Sequence, residues 1–182
     1  LGLHDPLEGK ILIDGIDTTS DMRGWRSQIG YVPQSVFISD SSLRENIAFG
    51  LPKDAIEDEQ VWKVLREARL EEFVRSLEGG LDTIIGERGA RISGGQCQRI
   101  GIARALYREP SILMFDEATS ALDNETEAEF METIRAFKGE KTMLIIAHRL
   151  STIKQCENVV YMKKDCEYEF KSAGHHLEAA LA

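Results

Sequence analysis

Two carboxylates stand side by side at Asp116 and Glu117, closing the apolar run Ser111-Ile112-Leu113-Met114-Phe115. A carboxylate fixed at the end of a rigid strand can hold a hard divalent cation, directly or through water. A second one beside it can take a proton from water. An acidic pair at a strand end is also an ordinary solvated feature, so these two residues alone decide nothing. A second run, Thr142-Met143-Leu144-Ile145-Ile146-Ala147, ends on His148, a side chain able to donate or accept a proton. Farther upstream, Arg91-Ile92-Ser93-Gly94-Gly95-Gln96 precedes a helix-like stretch from Cys97 to Tyr107. Ser93 suits a helix cap, and two glycines let a ligand approach the backbone amides of the helix start, a geometry that binds phosphate. The same stretch could equally be a flexible turn ahead of a helix.

The elements that position these residues follow from hydrophobic periodicity. Ser111 to Glu117 and Thr142 to His148 both read as strands buried on both faces. Between them, Phe130, Ile134 and Phe137 fall at i, i+4 and i+7. With Asp123-Asn124 as a cap and an acidic first turn, they predict a crossover helix from Asn124 to Lys138. Strand, helix, strand implies parallel pairing in an α/β layer fold. Ligands of such sheets sit at the carboxyl ends of the strands, where Asp116, Glu117 and His148 emerge together.

The middle of the chain is helical in pattern: Val61, Val64, Leu65 and Ala68 form one apolar stripe, and Leu70, Phe73, Val74 and Leu77 another. A strand from Ile29 to Val32, closed by Pro33, precedes this stretch, and the glycine-rich segment from Gly86 to Gly95 follows it. Lys10 to Ile13, followed by Asp14-Gly15, reads as a strand entering a turn, with Ile16 resuming the apolar pattern. Asn158 to Met162 is another short strand.

Composition narrows the partners. The 182 residues carry a formal net charge of −9, which argues against nucleic acid, since backbone phosphates are held by clustered Lys and Arg. The apolar runs fall far short of the ~20 residues of a membrane-spanning helix. Cys97, Cys156 and Cys166 make an odd count without CxxC spacing, which suggests neither a disulfide framework nor, with His175 and His176, a usual zinc pattern.

With Gln34 after Val32-Pro33, then Ser93 to Gln96, Ile112 to Glu117, Ser120 to Asp123 and His148 in this order, the chain resembles the nucleotide-binding domain of ATP-binding cassette (ABC) transporters. Several motifs at compatible spacing are far harder to meet by chance than any one of them. The resemblance implies an α/β fold: a P-loop NTPase, RecA-like core with a parallel sheet, interrupted by an α-helical signature subdomain. It places the core at 1–34 and 106–182 and the helical subdomain, with the Q-loop region and signature motif, at 35–105.

Roles follow from the same resemblance. Gln34 would be the Q-loop glutamine that touches magnesium and the attacking water, Asp116 the metal-holding Walker B aspartate, Glu117 the catalytic base and His148 the switch histidine. Ser93, Gly94, Gly95 and Gln96 would form the signature motif that clasps ATP on an opposite subunit, with Asp123 closing the D-loop across the dimer seam. ATP and Mg2+ are thus the implied ligands. The implied partners are a second nucleotide-binding domain, identical or different, and a transmembrane domain fused upstream. The implied place is the cytoplasmic face of a membrane. Gly86-Glu87-Arg88-Gly89 resembles the loop typical of exporters, and Ser42-Leu43-Arg44-Glu45-Asn46-Ile47 their LRENI segment. The tail from Glu169 to Ala182 resembles the family's closing helix. The cargo is not legible.

The sequence departs from the family pattern at one consequential point. No G-x-x-x-x-G-K-[ST] phosphate loop occurs: at the only Gly-Lys pair, Gly9-Lys10, His4 stands at the first glycine position and Ile11 where Ser or Thr should follow. Leu1-Gly2-Leu3 resembles the end of the helix that follows such a loop, so the loop and the adenine-stacking aromatic are expected just upstream. The chain alone is then expected to be inactive and, with an apolar sheet edge unpaired at Thr142 to Ala147, prone to association. Cys166, where a turn glycine is usual, and Cys97, within the signature helix, are minor departures. Two rivals remain. A chromosome-organising or DNA-repair ATPase of the same superfamily would need a long coiled coil between Gln34 and Ser93. A non-enzymatic subunit that completes a partner's site would explain the missing loop but not the full Asp116, Glu117 and His148 set.

Overall fold

The structure, a computed structural model, describes residues 2–4, 6–86, 92–120, 122–162 and 167–172. The chain begins with β1 (Leu12–Ile13), β2 (Ile16–Asp17), α1 (Met22–Ser27) and β3 (Ile29–Val32). Next come β4 (Ser41–Ser42), α2 (Leu43–Ile47), α3 (Asp58–Glu67), α4 (Glu71–Ser76), β5 (Ile84–Ile85) and α5 (Gly94–Leu106). The remainder runs β6 (Ile112–Asp116), α6 (Asn124–Arg135), β7 (Thr142–Ile146), α7 (Leu150–Ile153), β8 (Asn158–Met162) and β9 (Tyr168–Ser172).

The sheet that matters for the site has three strands in the order β3-β6-β7. All pairing in it is parallel, with Val32 opposite Phe115, Phe115 opposite Ile145 and Asp116 opposite Ile146. The helices between β3 and β6, and α6 between β6 and β7, are the crossovers that parallel pairing requires. Val32, Leu113 and Phe115 point into one apolar cluster shared with Ile100, Ile102, Leu106, Phe130 and Ile134. Phe115 and Phe130 meet edge to face, their centroids 6.0 Å apart. The stripes expected in the middle of the chain are buried as read: Val61, Val64, Leu65, Ala68, Leu70 and Val74 belong to the same cluster, with Phe73 and Leu77 packed against it.

Five expectations need adjustment. Neither run is buried on both faces: in β6 only alternate residues are fully buried, and in β7 Leu144 and Ile146 are 52% and 45% exposed. The reason is one-sided cover, since the shared cluster lies on the Leu113 and Phe115 side while Tyr31, Leu144 and Ile146 face outward. Among the described residues β7 pairs with β6 alone, which leaves an open apolar edge as expected. The crossover helix ends at Arg135, where turn bonds from Phe137 and Lys138 lead to Gly139 at φ 86°, although Phe137 stays in the core. The signature helix starts at Gly94 because Ser93 caps it. The first strand is only Leu12–Ile13, turned by Asp14 and Gly15, both at positive φ, into a hairpin with Ile16–Asp17. Glu169 to Ser172 lies in β9, antiparallel to β8, rather than in a helix. The alternation of Tyr168 and Phe170 with Glu169 and Lys171 has the period of a strand. The rest of that tail, including His175 and His176, lies outside the described residues, as do Glu87 to Arg91, Ala121 and Cys166.

Candidate active site

Glu117 is the residue on which the site converges. It follows the last residue of β6, and its backbone turns into the left-handed region at φ 48°. Its amide still donates to the carbonyl of Ile146 at 3.0 Å, and its carbonyl accepts from the amide of Ser120 at 2.9 Å. One carboxylate oxygen, Oε1, lies 2.7 Å from Nε2 of His148. The other, Oε2, accepts a hydrogen bond from Nε2 of Gln34 at 3.0 Å. Parallel pairing explains the convergence, since Gln34, Glu117 and His148 each lie just beyond the carboxyl end of β3, β6 or β7.

Gln34 is held at both ends. Its side chain also donates to the hydroxyl of Ser120 at 3.1 Å, and its backbone carbonyl accepts from Nε2 of Gln98 at 2.8 Å. Gln98 is buried on α5, so the helix that starts at Ser93 is fastened to the turn after β3. His148 is largely exposed, so Glu117 lies between an open imidazole and a fixed amide.

Asp116 ends β6 and accepts a hydrogen bond from the hydroxyl of Tyr31, on β3, at 2.8 Å. That bond to a carboxylate raises the pKa of the tyrosine. An Asp and a Gln offering oxygen donors beside a Glu are hard ligands of the kind that suit magnesium.

Ser93 and Gln96 form a reciprocal capping box: the Ser93 amide donates to Oε1 of Gln96 at 2.8 Å, and the Gln96 amide to Oγ of Ser93 at 3.2 Å. The amides of Gly94 and Gly95 make no hydrogen bond among the described residues and remain as donors at the start of α5. The two glycines differ in what requires them. A Cβ on Gly95 would lie 2.4 Å from Cγ2 of Thr126, so packing on α6 already excludes a side chain. Among the described residues, a Cβ on Gly94 would meet nothing closer than Leu122 at 3.8 Å. The space over Gly94 is therefore open to a ligand, and the helix start fits an anion.

Asp123 caps α6, accepting from the amide of Thr126 and from its hydroxyl, both at 2.9 Å. Those bonds, the backbone one first, hold its pKa below the ordinary aspartate value. The structure thus gathers Gln34, Asp116, Glu117 and His148 at one sheet end. Ser93 to Gln96 and Asp123 sit beside each other through α5 and α6, and no hydrogen bond among the described residues joins them to Glu117. Sequence reasoning passed over Tyr31, Gln98, Glu127 and Arg149. Only Arg149, next to His148, carried a positional signal; the others needed the strand register or the packing of α5 and α6.

Comparison with known proteins places the chain in a family. Residues 1–120 match the family described as ABC transporter. An uncharacterized ABC transporter ATP-binding protein of Bacillus subtilis is 48% identical over 161 residues, covering 86% of this chain and 27% of its own length. A multidrug resistance ABC transporter ATP-binding and permease protein of Lactococcus lactis is 43% identical over 177 residues, covering 96% of this chain and 29% of its own. The solved structure of a bacterial Atm1-family ABC exporter with ATP bound superposes with a TM-score of 0.81 at 39% identity, covering 97% of this chain and 30% of that one. The chain therefore spans less than a third of each of these relatives, and its parallel sheet with helical crossovers is of the same P-loop NTPase kind. On the family match and these identities, the chain belongs to the ABC transporter family.

Proposed function

We propose that this chain is the ATP-binding and hydrolysing part of an ABC exporter. In this reading residues 1–34 and 106–182 form the ATPase core and 35–105 the helical subdomain. The observation that carries the proposal is Glu117, oriented at once by Gln34 and His148 at the carboxyl ends of parallel strands. A carboxylate held on two sides is a positioned base, able to accept a proton from a water placed beside it.

Asp116 and Gln34 would hold Mg2+, which when bound neutralises phosphate charge and acts as a Lewis acid. Glu117 takes the proton of the attacking water on its carboxylate. His148, close to it and exposed, orients that carboxylate and presents its ring to the phosphate side. Ser93, Gly94, Gly95 and Gln96 offer the open helix start to the phosphates of a nucleotide held by a second such domain, and Asp123 lies at the seam. The room over Gly94 among the described residues supports that assignment. These 182 residues include no G-x-x-x-x-G-K-[ST] sequence, so hydrolysis is assigned to the longer protein and not to this chain by itself.

The permease portions named in relatives such as the Lactococcus lactis protein support a transmembrane partner on the same polypeptide. No helix among the described residues is long and apolar enough to cross a membrane. This chain would then work at the cytoplasmic face, beneath the membrane-spanning part. The test is ATP hydrolysis by the full-length protein with and without Glu117→Gln. The variant is expected to lose ~10²–10⁴-fold in kcat while still binding ATP, the usual size of a general-base contribution. Hydrolysis at the wild-type rate by Glu117→Gln would sink the assignment of Glu117.

A further inference from the structure

A buried carboxylate outside the candidate site is linked, through Arg149, to the residues after Glu117 and to the strand end that carries His148. Glu127, on the first turns of α6, is only 4% exposed. Its Oε1 accepts from the hydroxyls of Ser151 at 2.7 Å and Thr152 at 3.0 Å, and its Oε2 from Nη1 of Arg149. The second terminal nitrogen of the same guanidinium donates to the carbonyls of Leu122 at 2.8 Å and Ser120 at 3.2 Å. Arg149 directly follows His148, while Ser120 bonds Gln34 through its hydroxyl and the Glu117 carbonyl through its amide.

We propose that Arg149 and Glu127 are a positioning pair that locks Ser120 and Leu122, beyond Glu117, to the strand end carrying His148, keeping Glu117, Asp123 and His148 in one arrangement. The inference rests on the ATPase reading above. Burial pushes the Glu127 carboxyl up, but the bonds from Ser151, Arg149 and Thr152 outweigh it and hold its pKa below the ordinary glutamate value. Glu127 is therefore ionised across neutral pH. A planar guanidinium suits the task because it reaches a carboxylate and two carbonyls at once, whereas an ammonium is a single point. Without Arg149, the β7 end and the loop after Glu117 keep the bond from the Glu117 amide to Ile146, and the carbonyls of Ser120 and Leu122 lose their shared donor. Neither residue touches the reacting groups, so the effect falls on alignment rather than on binding.

The experiment uses the full-length protein and compares wild type, Glu117→Gln, Arg149→Ala, Arg149→Lys, Glu127→Gln and the Arg149→Ala/Glu127→Gln double variant. ATP hydrolysis, ATP binding and Tm are measured on each. Misalignment by about an ångström costs up to ~10²-fold, so Arg149→Ala should lower kcat ~10–100-fold with KM and ATP affinity within about threefold of wild type. Arg149→Lys should recover part of that loss, and the double variant should be no worse than Arg149→Ala, because both changes break one unit. A kcat within about twofold of wild type for Arg149→Ala, or fully additive losses in the double variant, would overturn the pairing. If Arg149→Ala does not fold, Arg149→Lys decides: a wild-type kcat overturns the proposal, and a lowered kcat at unchanged Tm supports it. Wild-type protein without Glu117-dependent hydrolysis would instead bring down the ATPase reading, and this inference with it.

Discussion

The helices between Leu43 and Leu106 and the carboxyl end of the three-stranded sheet are held by different forces. In the helices, Leu43, Ile47, Val61, Leu65, Val74, Ile100 and Ile102 are fully removed from solvent, and Ser42 and Ser93 start α2 and α5 with reciprocal capping boxes. At the sheet end the side chains are polar and partly open, and they are held by hydrogen bonds between residues far apart in sequence: Gln34 to Glu117, Tyr31 to Asp116, and His148 beside Glu117. The apolar side gains stability roughly in proportion to area buried. The polar side gains little, since an exposed hydrogen bond nets about 0.5–1.5 kcal/mol, and supplies geometry instead. Stability and chemistry are thus lodged in separate groups of residues.

The largest effect should come from emptying the packed side. Leu65→Ala is expected to cost ~2–5 kcal/mol, against about 1 kcal/mol or less for Ile146→Ala on the open face of β7. Urea denaturation of both variants checks this, and equal losses would erase the contrast. A smaller and more specific effect comes from Glu127, a buried carboxylate on α6 that holds Arg149 beside the sheet end. Its folded pKa is depressed, so the stability it adds is present above the unfolded value and disappears as pH falls through the folded one. The stability gap between wild type and Glu127→Gln should therefore be widest near neutral pH and close progressively below about pH 4, the ordinary glutamate range. Arg149 is the charged group in contact with Glu127 among the described residues. A gap that widened on acidification would refute the assignment. The chemical tests sharpen the same contrast, since Glu117→Gln and Arg149→Lys should each change kcat far more than Tm.

The sequence is legible where one residue type repeats at a fixed period. The runs around Phe115 and Ile145 marked two strands, and the stripes of Val61, Leu65 and Val74 marked the helices, because burial demands apolar side chains at those spacings. What such runs cannot show is how many faces are covered, and so β7 was expected to be buried on both. The residues gathered at the sheet end were legible from motif order, since Gln34, Glu117 and His148 each follow a strand. Tyr31 and Glu127 were not. The partner of Tyr31 depends on the register of β3 against β6, and that of Glu127 on how α6 lies beside the turn after β7; neither is encoded in local spacing. The tail misled for the opposite reason: resemblance suggested a helix where the alternation from Tyr168 to Lys171 already had the period of a strand.

Glu117 stands at φ 48°, a conformation that costs a residue with a Cβ about 1–3 kcal/mol. Glycine would adopt it freely, though part of that gain returns to the unfolded chain, so Glu117→Gly is predicted to be neutral or up to about 1 kcal/mol more stable than wild type. In the full-length protein it should also abolish the proposed ATP hydrolysis. Thermal unfolding beside an ATPase assay decides; a clear fall in Tm would mean that the bonds to Gln34 and His148 outweigh the strain. If the prediction holds, the proposed base stands at a position where a more stable residue is available and useless, and attempts to raise thermal tolerance by substitution at that turn would select against the proposed activity.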